Sequence, residues 1–526
     1  MSEHSFKSKL ISSFVIAALF LSACTYGVIT QGENDPHTED YSRPDSTQPR
    51  EASPTKHEPE ISSTAPPLSP QPPQYTPDPT PDPLYKPKYI LKAELNYGDH
   101  HLMVEEVIIY HNNAQEALSE LLLMVDPLYY PNVFHLITLT WDNRDAIHDY
   151  TLDEGQLRIP LREPLEPGDG IQLNLTYELN LPSPEASPYK RPIPFGYTSR
   201  QTNLVDWYPF VPPYVPGEGW LAHKASYYGE HLVYETADFE VSIRLTDNKD
   251  NLVIAASAPA KTHDEWHHFQ HENARNFVWS VSHAYQVMTN RVGNVTIISY
   301  SFPVHSQAGE AVLKATSDAL SLYSELFAPY SRDTFSVVEA DFLDGMEYDG
   351  LYFLSNGFYN LYTNTPGEYL ISIAAHETAH QWWYAMVGND QAMEPWLDEA
   401  MCTYSERLFY ENLYPEALDW WWDYRIFYYQ PHGMIDDSIY NPHGEIEAYR
   451  AYRDAVYLNG ALFLEDMRNF IGDEAFFSFL RAYPLNFRYG IVTTIDFLRA
   501  IKNFTPKDTN TIIEKYFSPE TVEIVS

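Results

Sequence analysis

One short motif, H-E-x-x-H, constrains this chain more than any other feature of its sequence. It runs from His376 to His380 inside an apolar stretch that favours a helix. Residues four apart on a helix share a face, so both imidazoles can reach one metal ion. Glu377 lies one step round the helix and can address a water on that ion without binding the ion itself. The motif therefore predicts a helix with a divalent metal ion at its surface.

A third protein ligand is needed, because a catalytic zinc usually takes three protein groups and keeps one position for water. Glu399 supplies it in sequence terms, 19 residues after His380. Pro395 and the apolar and acidic residues behind it indicate that a second helix begins there. We therefore predict one Zn²⁺ ion, bound by His376, His380 and Glu399.

The N-terminus predicts export from the cytoplasm. Residues 1–23 combine two early lysines with an apolar run of about 12 residues, which is too short to span a bilayer. The run ends in Leu-Ser-Ala before Cys24, which resembles a bacterial lipoprotein box whose cysteine is acylated. An ordinary cleaved signal with a chance cysteine is the alternative. We predict a lipid-anchored protein of the cell envelope, facing outside the cytoplasm at the cell surface or in the periplasm.

The next segment, residues 24–85, is predicted to be a disordered stalk. Between residues 36 and 87 there are 15 prolines and neither Trp nor Phe. Such a composition cannot bury enough apolar surface to offset the entropy of ordering the chain. The segment would hold the folded part away from the membrane.

The charge and cysteine content exclude two classes of protein. With 73 acidic and 33 basic residues the formal net charge is −40, and a field of this sign repels polyanions, so no nucleic-acid partner is predicted. The two cysteines cannot form a disulfide framework. One is the proposed lipid attachment site, and the other, Cys402, is predicted to be a free buried thiol.

The remaining 441 residues divide by the period of their apolar pattern. Residues 86–300 alternate apolar and polar side chains in short runs such as Phe239 to Leu245, which predicts an antiparallel β-sandwich domain. From residue 301 to 526 the pattern is mostly helical, beginning with an apolar stripe from Val312 to Leu326. The boundary is a change of period rather than a linker, so we expect the two halves to pack tightly.

Four segments together resemble the aminopeptidase N family of gluzincin zinc metallopeptidases. The first two are the metal motif and Glu399, with the family's 18-residue gap between them. Asp344-Gly345-Met346-Glu347-Tyr348 resembles the family's G-x-M-E-N strand, and the segment from Asp454 to Ala461, which contains Tyr457, resembles its Y-x-K-G helix. The resemblance covers residues 86–526 in order and spacing.

The resemblance implies a fold. We expect a saddle-like N-terminal β-sandwich domain followed by a thermolysin-like, mostly helical catalytic domain. The helical domain that follows in larger members is not expected in this chain.

The resemblance also implies a role for each site residue. Glu377 would be the general base, and Tyr457 would donate a hydrogen bond to the developing oxyanion. Gly345, Met346 and Glu347 would bind substrate, with Glu347 pairing with its α-ammonium group so that only the first peptide bond is cut. Tyr348 departs from the family's Asn, which puts the usual side-chain amide contact in doubt.

Several alternatives stay open at this point. Tyr457 could be a core aromatic and Glu347 an exposed acid on a strand. Glu406, two helical turns beyond Glu399, could bond a ligand histidine or be a solvated helix acid. Gln201 is a candidate pocket residue on the β half.

The predicted function is a zinc-dependent aminopeptidase that uses metal-activated water to remove N-terminal residues from peptides at the cell surface. Its partners would be peptides with a free N-terminus and, through the lipid, a membrane. A zinc endopeptidase or another hydrolase of the same fold is one alternative. A non-catalytic surface binding lipoprotein is the other.

Overall fold

The computed structural model describes residues 85–183, 193–247, 251–440 and 445–525. The predicted signal peptide, Cys24 and all but the last residue of the predicted stalk lie outside the described residues. In the described part of the chain, no helix combines the length and the apolar character needed to cross a bilayer.

Strands form the first part of the described chain and recur in the second. In chain order they are β1 (Lys88–Asn96), β2 (His101–His111), β3 (Leu118–Met124), β4 (Phe134–Trp141), β5 (Thr151–Asp153), β6 (Gln156–Leu165), β7 (Gly170–Asn180), β8 (Gly196–Tyr197), β9 (Thr202–Leu204), β10 (Tyr214–Val215), β11 (Gly219–Trp220), β12 (Ala237–Leu245), β13 (Val253–Ala256), β14 (Lys261–His263), β15 (Trp266–Ala274), β16 (Trp279–Ser282), β17 (Gln286–Val292), β18 (Val295–Ser301), β19 (Thr334–Ala340), β20 (Gly345–Tyr348), β21 (Leu351–Ser355), β22 (Gly388–Asn389) and β23 (Ile491–Val492).

The α-helices of the described residues all lie after residue 305. They are α1 (Ser306–Leu326), α2 (Asn356–Asn360), α3 (Tyr369–Ala379), α4 (Trp396–Leu413), α5 (Leu418–Trp420), α6 (Glu445–Arg453), α7 (Gly460–Ile471), α8 (Asp473–Asn486), α9 (Thr494–Lys502), α10 (Asn510–Tyr516) and α11 (Pro519–Val525). Two segments, Trp421–Ile426 and Asp454–Asn459, are π-helical.

The largest sheet has seven strands in the order β14-β15-β12-β1-β2-β7-β4. Its strands alternate buried and exposed residues as the period-two pattern predicts, and β12 covers the predicted run from Phe239 to Leu245. One pair departs from the predicted antiparallel arrangement, because β1 and β12 run parallel. A parallel pair needs a long connection, and here the connection contains the ten strands β2–β11. Smaller sheets of two, three and four strands complete this β-rich half.

A mixed five-stranded sheet, in the order β17-β18-β19-β21-β20, lies at the start of the catalytic half. Its first two strands lie between Gln286 and Ser301. The predicted division at residue 300 therefore falls inside this sheet. Alternation of side chains indicates a strand but does not say which sheet the strand joins, so this membership could not be read from the pattern. The edge strand β20 carries Glu347.

The helices that carry the metal motif begin close to where the sequence predicts. Helix α1 buries the predicted stripe, including Val312, Ala315 and Ala319, and packs on β17, β18 and α3. Helix α3 contains His376 and Glu377, and His380 follows its last residue in a conformation that is still helical, with φ −59° and ψ −13°. Both imidazoles therefore stay on one face. Helix α4 begins directly after Pro395, as predicted.

A buried charge network joins the β-rich half to the catalytic half. Asp349, which is fully buried, accepts hydrogen bonds from the Arg332 guanidinium at 2.6 and 2.7 Å and from the backbone N–H of Arg275 at 3.0 Å. The guanidinium of Arg275 in turn donates to the backbone carbonyls of Tyr234, Tyr384 and Gly490. Each of these bonds links distant parts of the chain. The network holds the end of β20 and the segments around Tyr384 and Gly490 against the β-rich half.

Candidate metal centre

The structure brings the three predicted ligands together. The Nε2 atoms of His376 and His380 lie 3.1 and 3.7 Å from Glu399 Oε2, and all three side chains are buried. A tetrahedral Zn²⁺ with bonds near 2.0 Å separates neighbouring donors by about 3.3 Å, which falls between these two distances. Two imidazoles and a carboxylate are also a donor set that zinc takes. The residues fit the ion.

The hydrogen bonds made by the Nδ1 atoms of the two histidines determine which ring nitrogen faces the metal centre. His376 Nδ1 donates to Glu406 Oε1 at 2.9 Å, and His380 Nδ1 donates to the backbone carbonyl of Trp383 at 3.1 Å. Carboxylate and carbonyl oxygens only accept hydrogen bonds, so both Nδ1 atoms must carry a proton. In a neutral imidazole this leaves the Nε2 lone pair free to bind a metal.

Glu406 is fully buried and accepts hydrogen bonds from three side chains in addition to its contact with a ligand histidine. Of the two alternatives for Glu406, the structure therefore shows a hydrogen bond to a ligand histidine and not a solvated acid on the helix surface. Its further donors, besides His376, are Ser372, Trp421 and both ends of the Arg425 guanidinium. Although burial alone would raise its pKa, Arg425 and His376 hold the pKa of Glu406 down at about 2. Glu406 thus stays ionised and orients the imidazole.

The electrostatics of the two histidines differ. Burial disfavours the charged form of His376, but its hydrogen bonds to Glu399 and Glu406 outweigh burial and raise its pKa to about 10. Burial dominates at His380 and lowers its pKa to about 4. The two carboxylates therefore favour positive charge on the His376 ring, and Glu399 would favour a cation at the three ligands for the same reason.

Cys402 also lies near the two histidines, with donor atoms of all three residues within 4.8 Å of one another. Its Sγ lies 4.0 Å from the Trp383 carbonyl, which is the acceptor for His380 Nδ1. The thiol is thus on the Nδ1 side of that ring. Burial raises its pKa well above the ordinary value, so it stays protonated. The predicted free buried thiol is confirmed.

Glu377 has one oxygen packed and one oxygen without a partner. A Cβ atom at Gly345 would lie 2.1 Å from Glu377 Oε1, so only glycine at position 345 allows this carboxylate its place. Among the described residues no hydrogen-bond partner exists for Oε2, which is buried. Burial raises the pKa of Glu377 well above its ordinary value, and the neighbouring charge of His376 opposes this. An unpaired buried carboxylate oxygen beside three convergent donors fits a site that holds a metal and a water.

Glu347 is a buried acid beside the metal centre, not an exposed acid on a strand. A carboxylate oxygen of Glu347 and donor atoms of His380 and Asp398 lie within 4.8 Å of one another. The amide of Gln391 donates to Glu347 at 3.0 Å and to Asp398 at 2.7 Å, which holds the two acids in place. Gln381, directly after the motif, donates to the backbone carbonyl of Tyr348 and so ties β20 to the end of α3.

Tyr457 reaches the same centre from a π-helical segment. Its hydroxyl donates to Glu399 Oε1 at 2.5 Å, and its ring stacks on His376 with centroids 6.1 Å apart. Gly460 permits the approach, because a Cβ there would lie 2.4 Å from the Cβ of Ala400. Tyr457 is therefore part of the site. Donation to an oxyanion stays a prediction, since here the hydroxyl bonds a predicted ligand.

Comparison with known proteins places the chain in a family. Residues 312–516 match the model of the peptidase family M1 domain. This segment contains all three predicted ligands, Glu377, Glu347 and Tyr457. Over these residues the chain is a peptidase family M1 domain. The predicted membership of the aminopeptidase N family is confirmed.

Two relatives with curated names match the M1 chain over part of their length. "Probable aminopeptidase 2" of Sulfurisphaera tokodaii is 26% identical over 162 residues, which is 29% of this chain and 20% of the relative. "Aminopeptidase M1" of Arabidopsis thaliana is 26% identical over 244 residues, 42% of this chain and 27% of the relative. The matched regions thus span about a quarter of the length of these relatives.

Solved structures match the M1 chain over most of both lengths. The M1 zinc metallopeptidase from Deinococcus radiodurans superimposes with a TM-score of 0.59 at 19% identity, covering 82% of this chain and 94% of that one. A variant of that enzyme bound to a Tyr-Ser-Ala substrate gives a TM-score of 0.57 at 19% identity, covering 82% and 96%. The predicted fold, a β-rich domain followed by a mostly helical catalytic domain, is confirmed.

Sequence reasoning missed three polar residues of this M1 site and misplaced a fourth. Three of these side chains lie next to Glu347, those of Gln391, Asp398 and Glu230. None of the three lies in a recognisable motif. Asp398 could have been noticed as the residue before a predicted ligand. Gln201, the candidate pocket residue, instead donates to Tyr285 and to the Glu339 backbone, and its carbonyl accepts from the Asp341 N–H. These three hydrogen bonds of the Gln201 side-chain amide help to join the two halves.

Proposed function

We propose that this chain is a zinc-dependent aminopeptidase that removes N-terminal residues from peptides. One observation carries the proposal: a buried Glu347 carboxylate oxygen lies within 4.8 Å of a His380 ring nitrogen. A carboxylate at that place can pair with the α-ammonium group of a peptide whose first carbonyl lies at the metal centre. The bond after the first residue is then the one positioned for cleavage.

A zinc ion held by His376, His380 and Glu399 would polarise the peptide carbonyl and lower the pKa of water toward about 7. Glu377 then serves as general base, since its free Oε2 can take the proton of the attacking water and deliver it to the leaving amine. Gly345 leaves Glu377 room in that position. The side-chain amide of Gln391 donates a hydrogen bond to Glu347 and so keeps this carboxylate in position for the substrate.

Tyr457 is proposed to stabilise the oxyanion. Its hydroxyl would turn from Glu399 toward the carbonyl oxygen as negative charge develops there. Donors of this kind typically contribute about 3 kcal/mol of transition-state stabilisation. Met346, beside Glu347 on β20, is 6% exposed and lines a pocket together with Glu347.

The names of the similar proteins support the same activity. Curated relatives are named aminopeptidases, and the Deinococcus radiodurans metallopeptidase has a structure with a Tyr-Ser-Ala substrate. Zinc appears in the name of that metallopeptidase. For this chain, zinc binding, the peptide substrate and the number of ions are part of the proposal.

The test compares free and N-acetylated forms of the same peptides, using the zinc-loaded protein and a chelator control. We expect cleavage of the free forms only. Glu347→Gln should lower kcat/KM for free peptides on the order of 10²-fold, because a buried ion pair to the substrate is lost. Glu310→Gln, which changes an exposed acid on α1, should have no effect.

Two outcomes would contradict the proposal. Equal cleavage of free and acetylated peptides, with Glu347→Gln inert, would indicate an endopeptidase. Zinc uptake without turnover on any peptide in a mixed pool would indicate a binding protein.

We further propose that the protein acts at the cell envelope, facing outside the cytoplasm at the cell surface or in the periplasm and anchored through a lipid on Cys24. The support is the sequence of residues 1–24 alone. Labelled palmitate should enter the wild-type protein but not Cys24→Ser, and the variant should leave the membrane fraction. Unlabelled wild type in a soluble fraction would contradict this part.

A further inference from the structure

The turn that follows the metal motif contains a strained residue. Tyr384 has a φ of +144°, in the region that favours glycine and that residues with a Cβ atom rarely adopt. The residue is buried. Such a conformation costs free energy and persists only where surrounding contacts hold it. Contacts on both sides of Tyr384 must therefore fix its backbone.

The peptide unit before Tyr384 is fixed within the catalytic half. Its carbonyl, which belongs to Trp383, accepts the hydrogen bond of the predicted zinc ligand His380 at 3.1 Å. Its N–H, which belongs to Tyr384, donates to the carbonyl of Val387 at 2.9 Å. The indole N–H of Trp383 donates to Ser405 at 3.1 Å. The φ torsion of Tyr384 thus sets how the carbonyl that orients His380 is directed relative to the rest of the turn.

The other side of Tyr384 is fixed from the β-rich half. Arg275 Nε donates to the Tyr384 carbonyl at 3.2 Å, and the Asn276 amide donates to the Tyr384 hydroxyl at 2.6 Å. Both donors lie in the connection between β15 and β16. Two adjacent residues of the β-rich half therefore hold the backbone and the side chain of the strained residue.

The Arg275 guanidinium donates only to backbone carbonyls in the described part of the chain, those of Tyr234, Tyr384 and Gly490. Gly388 leaves room for it, since a Cβ at that position would lie 2.7 Å from Arg275 Cζ. Burial lowers the pKa of Arg275 to about 10, so the group keeps its charge at neutral pH. Burying this charge is costly unless its donors are paired, so the guanidinium stabilises the position of the turn that brings the three carbonyls together.

We propose that Arg275 is a positioning residue for the zinc site: it holds Tyr384 in its strained conformation, so that the Trp383 carbonyl keeps His380 Nε2 directed at the metal. The proposal rests on the zinc site of the proposed function. It gives the β-rich half a part in metal binding, although all three ligands lie in the catalytic half. Without the Arg275 contact the turn should relax, and His380 should lose its fixed acceptor and bind zinc less tightly.

The experiment measures zinc affinity of the full-length protein by competition with a chelator. The visible spectrum of the cobalt-substituted protein reports the ligand geometry, and thermal unfolding of the metal-free protein reports the fold. The test variant is Arg275→Lys, which keeps the charge but not the planar set of donors. Arg332→Lys is the matched control. The Arg332 side chain is 13% exposed and also lies at the junction of the halves, but it donates to Asp349 and to the carbonyls of Glu272 and Asn273, outside the turn.

We expect Arg275→Lys to weaken zinc binding by about 10- to 100-fold and to change the cobalt spectrum. Arg332→Lys should lower the unfolding midpoint of the metal-free protein and leave zinc affinity within about twofold of wild type.

A second comparison does not depend on folding of the Arg275 variant. Tyr384→Gly and Tyr384→Ala remove the same ring and hydroxyl, but only glycine adopts a φ of +144° without strain. Tyr384→Ala should therefore bind zinc about tenfold less tightly than Tyr384→Gly. In the Tyr384→Gly background, Arg275→Lys should weaken zinc binding by less than about threefold, because the torsion no longer needs a contact to hold it.

The possible failures are distinguishable. Wild-type protein that does not bind zinc would overturn the proposed function and this proposal together. Zinc affinities in the expected order without hydrolysis of any peptide would overturn the aminopeptidase proposal and support this one. Unchanged zinc affinity in Arg275→Lys would overturn this proposal alone.

Two further results would also overturn it. Equal weakening of zinc binding by Arg275→Lys and Arg332→Lys would mean that Arg275 acts only on the fold. Equal zinc affinities of Tyr384→Gly and Tyr384→Ala would mean that the torsion does not position the ligand.

Discussion

Replacing Gly345 with alanine should inactivate the site without unfolding the protein. A Cβ at position 345 would lie 2.1 Å from Glu377 Oε1 and 3.0 Å from Ile373 Cγ2, whereas ordinary contacts begin at 3.4 Å. The carboxylate oxygen must therefore move by about 1.3 Å. Because this oxygen is the far end of a flexible side chain, Glu377 can turn away while β20 and α3 keep their places.

The expected result is a loss of turnover alone. Misplacing a catalytic group by about 1 Å can cost on the order of 10²-fold in rate. The measurements are kcat/KM on a free peptide, zinc content by elemental analysis, and the thermal unfolding midpoint. Gly357→Ala is the matched control, since the nearest atom to its added Cβ is 3.2 Å away on Ser355, far from Glu377 in the chain.

Two results would refute the reasoning. Full activity in Gly345→Ala would mean that the position of Glu377 is not limiting for turnover. Loss of zinc together with a large fall in the unfolding midpoint would mean that the strand, and not the carboxylate, gives way.

Three further predictions follow from buried groups. Glu406→Gln should weaken zinc binding by 10- to 100-fold, measured by competition with a chelator, because His376 loses its charged partner; unchanged affinity would contradict this. Tyr457→Phe should lower kcat by about 10²- to 10³-fold and retain zinc, and an equal fall in zinc content would instead indicate a purely structural role. Burial raises the pKa of Glu106 well above its ordinary value of 4.5, against a lowering contribution from Tyr177. The folded state thus binds this proton more tightly than the unfolded state, so the free energy of unfolding falls as pH rises above 4.5. Glu106→Gln should therefore lose less stability than wild type between about pH 5 and 8, as measured by urea unfolding. Parallel pH profiles would contradict this.

The metal centre could be predicted because its ligands and general base lie at short, characteristic separations along the sequence. The two histidines and Glu377 share one helix, and Glu399 begins the next, so a few residues of sequence fix their relative directions. Glu347 and Tyr457 needed the family resemblance, since their distance from the motif along the chain carries no geometric meaning alone. Burial of Glu406 could not be decided, because an acid on a helix looks the same in sequence whether it faces solvent or Arg425.

Other parts of the site depend on tertiary contacts that no local pattern reports. Glu230 lies on a segment whose apolar residues follow neither the helical nor the strand period. Gln391 lies in the connection before α4. The membership of β17 and β18 in the catalytic sheet follows from pairing with β19, to which β18 runs parallel. Hydrophobic alternation is identical for a strand in either sheet, so the pattern alone could not assign β17 and β18 to one sheet or the other.

That shared sheet limits how the protein can be dissected. A fragment beginning at residue 301 would leave β19 with a bare edge and remove two of the five strands of the sheet, the two on which α1 mainly packs. An exposed edge of this kind invites pairing between chains. Truncation at the apparent boundary should therefore yield aggregates, and any attempt to study the hydrolytic part by itself has to start ahead of Gln286.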